Sequence, residues 1–376
     1  APMVEVDALT DPLNLCPADF AKLPAFMEAV LQAAANDPVI LRERLESCGQ
    51  LTGGEFLVQD LTGDGGDDLL VHYADPAGQV PYAVGDLILF AGSETGFAES
   101  FRAKAAGRVE LLATVDINAD GLADLAWMET NCGASTCFST VNVRSWDGTV
   151  WQDWTAGTVT MANAEVNLLG AGDKGQGDAL VLVGGKYGSA GAGPQRQRTE
   201  TWTSVEGAPY TLANTEYGPS DCLYFVVIDA NQAFLDELPT LVTATEAGAA
   251  GATAPLTPEL YLRAVGDDSL KACGYRENEV DELRAFSIFR LAVFAGYSGD
   301  ATAVSDVLGL LSSDYPDSVY DRLGQFWHTA YVAAGNDAAK ACQAATVFAQ
   351  ENSESWEILA DFGYANPNFS ADDVCP

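Results

Sequence analysis

The spacing of apolar residues changes twice along the chain, and these changes divide it into three segments. Residues 1–49 and 227–376 carry apolar side chains at helical steps, which predicts amphipathic helices. Residues 50–226 instead show short apolar runs separated by Gly, Asp, Asn and Ser, which predicts β-strands joined by turns. The pattern therefore predicts a multidomain protein of α and β class, in which helical segments flank a β domain.

The first segment has the start and stop signals of a helical hairpin. Its two apolar stretches read PADFAKLPAFMEAVLQAAAND and DPVILRERLESCG. Asp37 and Pro38 are typical of an N-cap followed by a first-turn proline, and Gly49 is typical of a helix end. We therefore predict two helices within residues 1–49.

Two acidic stretches of the β segment share one spacing, DLTGDGGDD at 60–68 and DINADGLAD at 116–124, roughly 55 residues apart. Each lies between two apolar runs, so each is predicted to connect the strands of a β-hairpin. The sixth position is Gly65 or Gly121, where a sharp turn favours positive φ. A solvated turn is one interpretation of such a loop, and an oxygen cage for a hard cation such as calcium is the other. The repetition favours the cation.

The predicted ligands are the oxygen-bearing side chains at the first, third, fifth and ninth positions and the backbone carbonyl at the seventh. They are Asp60, Thr62, Asp64, Gly66 and Asp68 in the first loop, and Asp116, Asn118, Asp120, Leu122 and Asp124 in the second. A third copy, GAGDKGQGD at 170–178, has lost most of these positions and carries Lys174 where an Asp should stand. We therefore expect about two Ca2+ ions per chain.

A second hairpin with glycine and aromatic residues follows each copy: ILFAGSETGFAES, VNVRSWDGTVWQDW and TETWTSVEGAPYTLA. The period therefore accommodates about three units of four strands, the pattern of β-propeller blades. This arrangement resembles the FG-GAP repeat of integrin-type propellers and of many secreted bacterial proteins. The resemblance implies calcium in both acidic loops, with a looser first site because Thr62 is a weaker donor than Asp or Asn. The departure is the number of units, because a closed propeller needs about four.

The last segment contains a helical repeat. AGYSGDATAVSDVLGLLSSDYPDSVYDRLGQF overlays YVAAGNDAAKACQAATVFAQENSESWEILADF. The overlay matches Gly299 with Gly335, Tyr320 with Trp356 and Phe326 with Phe362. Small residues at predicted helix crossings and a glycine between helices resemble tetratricopeptide repeats. The resemblance implies a TPR-like helical domain over residues 227–376 whose open ends need capping.

Composition limits the partners. The 376 residues carry a net charge of −36, which repels nucleic acid and anionic lipid and favours cations. The same charge is also explained by a surface adapted for solubility or salt. No uninterrupted apolar run approaches the roughly 18 residues of a spanning helix, so no membrane span is expected.

The eight cysteines form no C-x-x-C motif, and the chain has two histidines, so a disulfide framework is favoured over zinc or haem. Sequence order suggests the pairs Cys16–Cys48, Cys132–Cys137, Cys222–Cys273 and Cys342–Cys375. Disulfides indicate an oxidising compartment. The first residues, APMVEVDALTDP, are those expected of a chain whose signal peptide has been removed.

Catalytic signals are weak. His72 lies in the strand-like LLVHY and His328 in the helical QFWHTAY, and packing is favoured over catalysis for both. Motifs of the G-x-S-x-G, H-E-x-x-H and G-K-[S/T] types are absent from the sequence. Nothing singles out a glycosidase-like pair among the many carboxylates. The Trp candidates for sugar stacking, which are favoured to fill the space between blades instead, are Trp146, Trp151, Trp154 and Trp202.

These features predict a secreted, non-enzymatic, calcium-stabilised structural or interaction protein, located outside the cell or at its surface. Its sharper form is self-assembly into an extracellular fibre or surface layer, because a heterologous contact that does not close gives a filament. The alternatives are an adhesin that binds glycans or a protein, and an enzyme acting on polysaccharide. Asn368, in NFS, is one acceptor pattern for N-linked sugar.

Overall fold

The computed structural model describes residues 8–51, 54–75, 77–78, 83–118, 120–170, 179–205, 208–247 and 255–375. These residues form helices and three antiparallel sheets, so the mixed α and β class is confirmed. They divide into two compact units. The first contains the chain up to Gly188 together with Gln197–Gly218, and the second contains Ser189–Arg196 and Pro219–Pro376.

The first unit begins with a helical hairpin, α1 (Leu23–Ala33) and α2 (Pro38–Ser47). The Asp37 side chain accepts a hydrogen bond from the Val39 N–H at 2.9 Å, which caps α2 ahead of Pro38. Gly49 follows the end of α2 with a φ of 77°. The predicted caps of this hairpin are therefore confirmed.

Thirteen strands of the described residues form the three sheets of the first unit. The first sheet is β1 (Glu55–Gln59), β2 (Asp68–Ala74), β3 (Gly85–Ala91) and β4 (Ala98–Arg102). The second is β5 (Arg108–Val115), β6 (Asp124–Cys132), β7 (Cys137–Trp146), β8 (Trp151–Asp153) and β9 (Val159–Ala162). The third is β10 (Glu165–Leu169), β11 (Ala179–Gly184), β12 (Arg198–Thr203) and β13 (Thr211–Tyr217).

Each sheet follows chain order, with neighbouring strands antiparallel. The first and third sheets have the four strands expected of one unit, and the second has five. The difference arises because β7 is ten residues long and pairs with two short strands, β8 along its end and β9 along its beginning. In the part of the chain that the structure describes, the sheets close into neither a barrel nor a complete propeller.

Three apolar cores stabilise the first unit, and each lies between two layers that are consecutive in the sequence. Alternation along β2 sends Leu69 and Val71 to a core shared with α1 and α2, and Leu70 to the opposite face. On that face Leu70 packs with Leu125 and Trp127 of the second sheet. A further core joins the second sheet to the third. The helical hairpin and the three sheets are therefore stacked layers, each sealed to the next by buried side chains.

The second unit is helical. Its helices are α3 (Leu223–Ala247), α4 (Leu256–Gly266), α5 (Glu279–Tyr297), α6 (Ala301–Asp314), α7 (Val319–Ala333), α8 (Ala338–Glu351) and α9 (Glu354–Ala360). Helix α3 begins at Leu223, before the boundary at 226 that the sequence suggested. The reason is its first turns, LYFVVI, whose aromatic and β-branched residues are also typical of strands.

The predicted helical repeat corresponds to two helix pairs, α6–α7 and α8–α9. Gly299 and Gly335 precede the two pairs with φ of 76° and 74°. Asp300 caps α6 and Asp337 caps α8 through their side chains. Helix α5, however, packs against α3, α4, α6, α7, α8 and α9. Repeats of a solenoid contact only their neighbours, so this unit is better described as a bundle around α5.

Ser189–Arg196 is a short segment of the second unit. Tyr364 N donates to Gly191 O and Ala365 N donates to Ala192 O, both at 3.2 Å. The Arg196 guanidinium binds both carboxylate oxygens of Asp229 on α3, at 2.6 and 2.7 Å. The segment is thus fastened to α3 and to the chain after α9.

None of the described helices has both the length and the apolar character needed to cross a bilayer.

Candidate metal centre

The two acidic loops occupy the same place in their sheets. The first acidic loop, residues 60–68, joins β1 to β2, where Gln59 pairs with Asp68. The second acidic loop, residues 116–124, joins β5 to β6, where Val115 pairs with Asp124. Both loops therefore connect the first hairpin of a sheet, as the spacing predicted.

The first Asp of each loop holds the turn by accepting backbone N–H groups. Asp60 accepts from Gly63 N at 2.7 Å and from Gly65 N at 3.0 Å. Asp116 likewise accepts from Asp120 N at 3.1 Å and Gly121 N at 2.9 Å. Each carboxylate therefore reaches the glycine at the sixth position.

The conformation predicted for those glycines is confirmed. Gly65 has a φ of 86° and Gly121 a φ of 93°, values that favour glycine. The fifth and seventh positions are also linked alike in both loops. Asp64 Oδ1 accepts from Gly66 N, and Asp120 Oδ1 accepts from Leu122 N, both at 2.8 Å.

The ninth position fastens each loop to its sheet. Asp68 Oδ2 accepts from the N–H groups of Leu61 and Thr62, both at 2.8 Å. Asp124 Oδ2 accepts from those of Ile117 at 2.7 Å and Asn118 at 3.2 Å. Both aspartates are fully buried. The two loops therefore share one hydrogen-bond pattern as well as one sequence pattern.

The two loops differ in which oxygen atoms lack a partner. Asp68 Oδ1 accepts from Gly92 N at 2.9 Å, whereas Asp124 Oδ1 makes no hydrogen bond of normal geometry with the described residues, the Ser145 hydroxyl being the nearby polar group. In the first loop the buried atom without a partner is Thr62 Oγ1. Each loop therefore leaves one predicted ligand oxygen buried and unsatisfied, which costs free energy unless another group binds it.

Burial also raises the pKa of Asp124 to about 6, although the nearby Ser145 hydroxyl and the hydrogen bonds from the Ile117 and Asn118 backbones act in the opposite direction. Asn118 is itself engaged: its Nδ2 donates to Asp120 Oδ2 at 3.0 Å and to Ser145 Oγ at 2.7 Å. A divalent cation beside Asp124 would favour the charged form of this carboxyl group.

The donors of both loops suit calcium, because they combine carboxylate, hydroxyl, amide and backbone carbonyl oxygens. Within the described residues, however, no three or more His, Cys, Asp or Glu side chains are grouped so as to hold a metal ion. The loop carboxylates bind their own backbone N–H groups instead. Calcium binding at the ten predicted ligands therefore stays a prediction, supported by the two unsatisfied oxygens. The third copy cannot be compared, because Lys174 and its neighbours at 171–178 lie outside the described residues.

Three residues important to the loops were missed in the sequence. Gly92 binds Asp68 from the β3–β4 connection, and a methyl group placed on it would lie 2.1 Å from Asp67 O. Leu61 and Ile117, at the second position of each loop, are buried in the cores on either side of the second sheet. The apolar second position was visible in the overlay of the two loops, whereas nothing local marked Gly92.

The candidate catalytic and sugar-stacking residues are largely packed. His72 is 4% exposed on β2, which confirms the packing interpretation. His328 lines a cavity of about 230 Å³ in the second unit with Asp321 and Ser312. Trp151, Trp154 and Trp202 pack into the cores between sheets, and Trp146 contacts Trp151 with ring centroids 5.4 Å apart.

All eight cysteines are paired. The pairs are Cys16–Cys48, Cys132–Cys137, Cys222–Cys273 and Cys342–Cys375, as sequence order suggested. Cys132 and Cys137 are directly opposite each other on β6 and β7. Disulfides of this number are compatible with an extracellular protein.

Comparison of the chain with protein-family models, with curated proteins and with solved structures gives no match in any of the three. The resemblance to FG-GAP repeats therefore depends on the sequence pattern alone.

Proposed function

We propose that the protein is a secreted, non-enzymatic structural or interaction protein whose stacked sheets are stabilised by about two Ca2+ ions, one in each acidic loop. The observation that supports this most is the shared hydrogen-bond pattern of the loops, in which Asp124 Oδ1 and Thr62 Oγ1 are buried without a hydrogen bond of normal geometry. In the propeller-like interpretation, each of the three sheets is one blade and each loop joins the first two strands of its blade.

Calcium binding is tested by thermal unfolding with and without chelator. An ion that binds only the folded chain raises stability by RT ln(1 + [L]/Kd), about 2.7 kcal/mol at 100 times Kd. We expect EDTA to lower the midpoint for the first unit, and Asp120→Ala to remove most of the contribution of the second loop. An unchanged midpoint in EDTA would show that the loops are only turns.

The sharper form of the proposal is assembly of the chain into an extracellular fibre or surface layer. Two properties support it: the net charge of −36, which divalent ions could bridge, and the open stack of sheets in the described part of the first unit. Electron microscopy of the purified protein in calcium should show filaments or sheets. A strictly monomeric sedimentation profile at high protein concentration in calcium would contradict assembly and leave the calcium sites unaffected.

A further inference from the structure

The two acidic loops touch each other. A methyl group placed on Gly63 would lie 2.4 Å from Cδ2 of Leu122, so the Leu122 side chain fills the space beside the Gly63 backbone. Gly63 also has a φ of 74°, which glycine adopts readily and other residues rarely. The fourth position of the first loop is thus in contact with the seventh position of the second.

Both contacting residues are bonded to predicted ligands. Gly63 N donates to Asp60 Oδ1 at 2.7 Å, and Leu122 N donates to Asp120 Oδ1 at 2.8 Å. The Leu122 carbonyl is itself a predicted ligand of the second loop. An ion that orders the second loop therefore also orders Leu122, and Leu122 restricts Gly63, whose N–H group holds Asp60.

The contact is asymmetric. Gly66 is at the seventh position of the first loop, so that loop has no side chain equivalent to Leu122. The other anchors of the loops lie in different cores, because Leu61 packs between the first and second sheets and Ile117 packs between the second and third. The Leu122–Gly63 contact joins the two loops directly.

We propose that Leu122 is a positioning residue that couples the two calcium sites, so that an ion in the second loop raises the calcium affinity of the first. This inference rests on the proposed function, because it needs both loops to bind calcium. Once the second loop is ordered, the first loop loses fewer conformations on binding, which raises its affinity. Linkage makes the effect reciprocal. An ion in the first loop therefore raises the calcium affinity of the second by the same factor.

The test is a calcium titration of the full chain by calorimetry, after removal of metal with chelator. Four proteins form a cycle: wild type, Asp120→Ala, Leu122→Ala and the double variant. Asp60→Ala identifies the binding step of the first loop. We expect Asp120→Ala and Leu122→Ala each to weaken that step about five-fold or more, the lower end of typical couplings. The double variant should weaken it no further than either single change.

Leu122→Met is the matched control, because it keeps the volume of the side chain and every ligand oxygen. Leu122→Met should bind both ions with the affinities of wild type, whereas Leu122→Ala should bind the ion of the first loop more weakly. This comparison decides the question even where Asp120→Ala does not fold, which circular dichroism reveals. Two binding steps that are the same in wild type and in Leu122→Ala would overturn the coupling and leave the proposed function intact. No calcium heat in wild type would overturn both.

Discussion

Thr62 is the residue at which the first acidic loop departs most from the second. Its Oγ1 atom is buried without a hydrogen bond, so the apo chain gains nothing from that oxygen. A bound calcium ion would use it, because hydroxyl oxygen is a ligand for this cation.

Thr62→Val should therefore weaken calcium binding at the first loop and, because it removes a buried hydroxyl without a partner, raise stability in EDTA by about 1 kcal/mol. Valine keeps the shape of threonine and removes only the oxygen. Thr62→Asp is the opposite control and should tighten the same binding step. Calorimetry gives the affinity and urea unfolding in EDTA gives the stability. A loss of stability in EDTA equal to that in calcium would mean that Thr62 acts through packing alone.

His72 gives the first unit a dependence on pH. Burial lowers the pKa of its imidazole below the usual 6.5, although a hydrogen bond with the Val109 backbone opposes the shift. A histidine with a lowered folded pKa stabilises the chain above its unfolded pKa. That stability is lost as the pH falls from about 6.5 towards the folded value.

In EDTA, the free energy of unfolding of wild type should therefore fall between pH 7 and pH 5.5 more steeply than that of His72→Phe, with the unfolded pKa near 6.5 marking the onset. The measurement is urea unfolding at several pH values. His328→Phe, in the second unit, is the control for the removal of an imidazole. Equal slopes in wild type and His72→Phe would show that His72 does not titrate differently on folding.

At the scale of elements, sequence periodicity predicted most of the first unit. The switch from helical to strand spacing near residue 50 and the two hairpins around the acidic loops depend on local residue types, so they were visible in the sequence. The fifth strand of the second sheet was not, because β9 exists only by pairing with the free half of β7. Pairing between distant segments leaves no local signal.

The site shows the same division. Asp60 and Asp116 were predicted as ligands from their spacing, which stays a prediction, and their hydrogen bonds to Gly65 and Gly121 show that both carboxylates hold the turn. The contact between Gly63 and Leu122 was not predictable, because it depends on how two sheets are stacked. In the second unit, the sequence predicted the helical repeat. It did not predict that α5 packs at the centre of the bundle, because α5 precedes the repeat and its contacts with distant helices leave no local signal.

The disulfides of the first unit differ in the lengths of chain that they close. Cys16 and Cys48 are 32 residues apart, whereas Cys132 and Cys137 are 5 apart. In the chain-entropy model a longer loop restricts the unfolded state more.

Replacing Cys16 and Cys48 with alanine should therefore destabilise the first unit by roughly 4 kcal/mol, and replacing Cys132 and Cys137 by roughly 2 kcal/mol. Urea unfolding, followed by a probe of the first unit, measures both. Each double variant serves as the control for the other, because both remove one bridge from the same unit. A larger loss from the hairpin pair would contradict the chain-entropy explanation.

At the scale of the whole molecule, the large negative charge lowers the stability of the folded chain. With 54 acidic and 18 basic residues, the folded chain holds many carboxylates close together and repels itself. Monovalent salt shortens the range of that repulsion from about 30 Å at 0.01 M to about 8 Å at 0.15 M.

In EDTA, raising NaCl from about 0.01 M to about 0.15 M should therefore raise the unfolding midpoints. Differential scanning calorimetry measures them. Choline chloride at the same ionic strength is the control and should act equally, because screening does not depend on the identity of a monovalent cation. A salt effect with sodium alone would indicate specific ion binding.

The path of the chain has a practical consequence for anyone who wishes to produce its pieces. The polypeptide enters the helical unit at Ser189, leaves it at Gln197 and returns at Pro219. A gene fragment that starts at Pro219 would encode all of α3 to α9 but would omit Arg196, the partner of Asp229. We expect such a fragment to fold less well than the second unit of the full chain. Fusing residues Ser189–Arg196 to its amino end should restore folding.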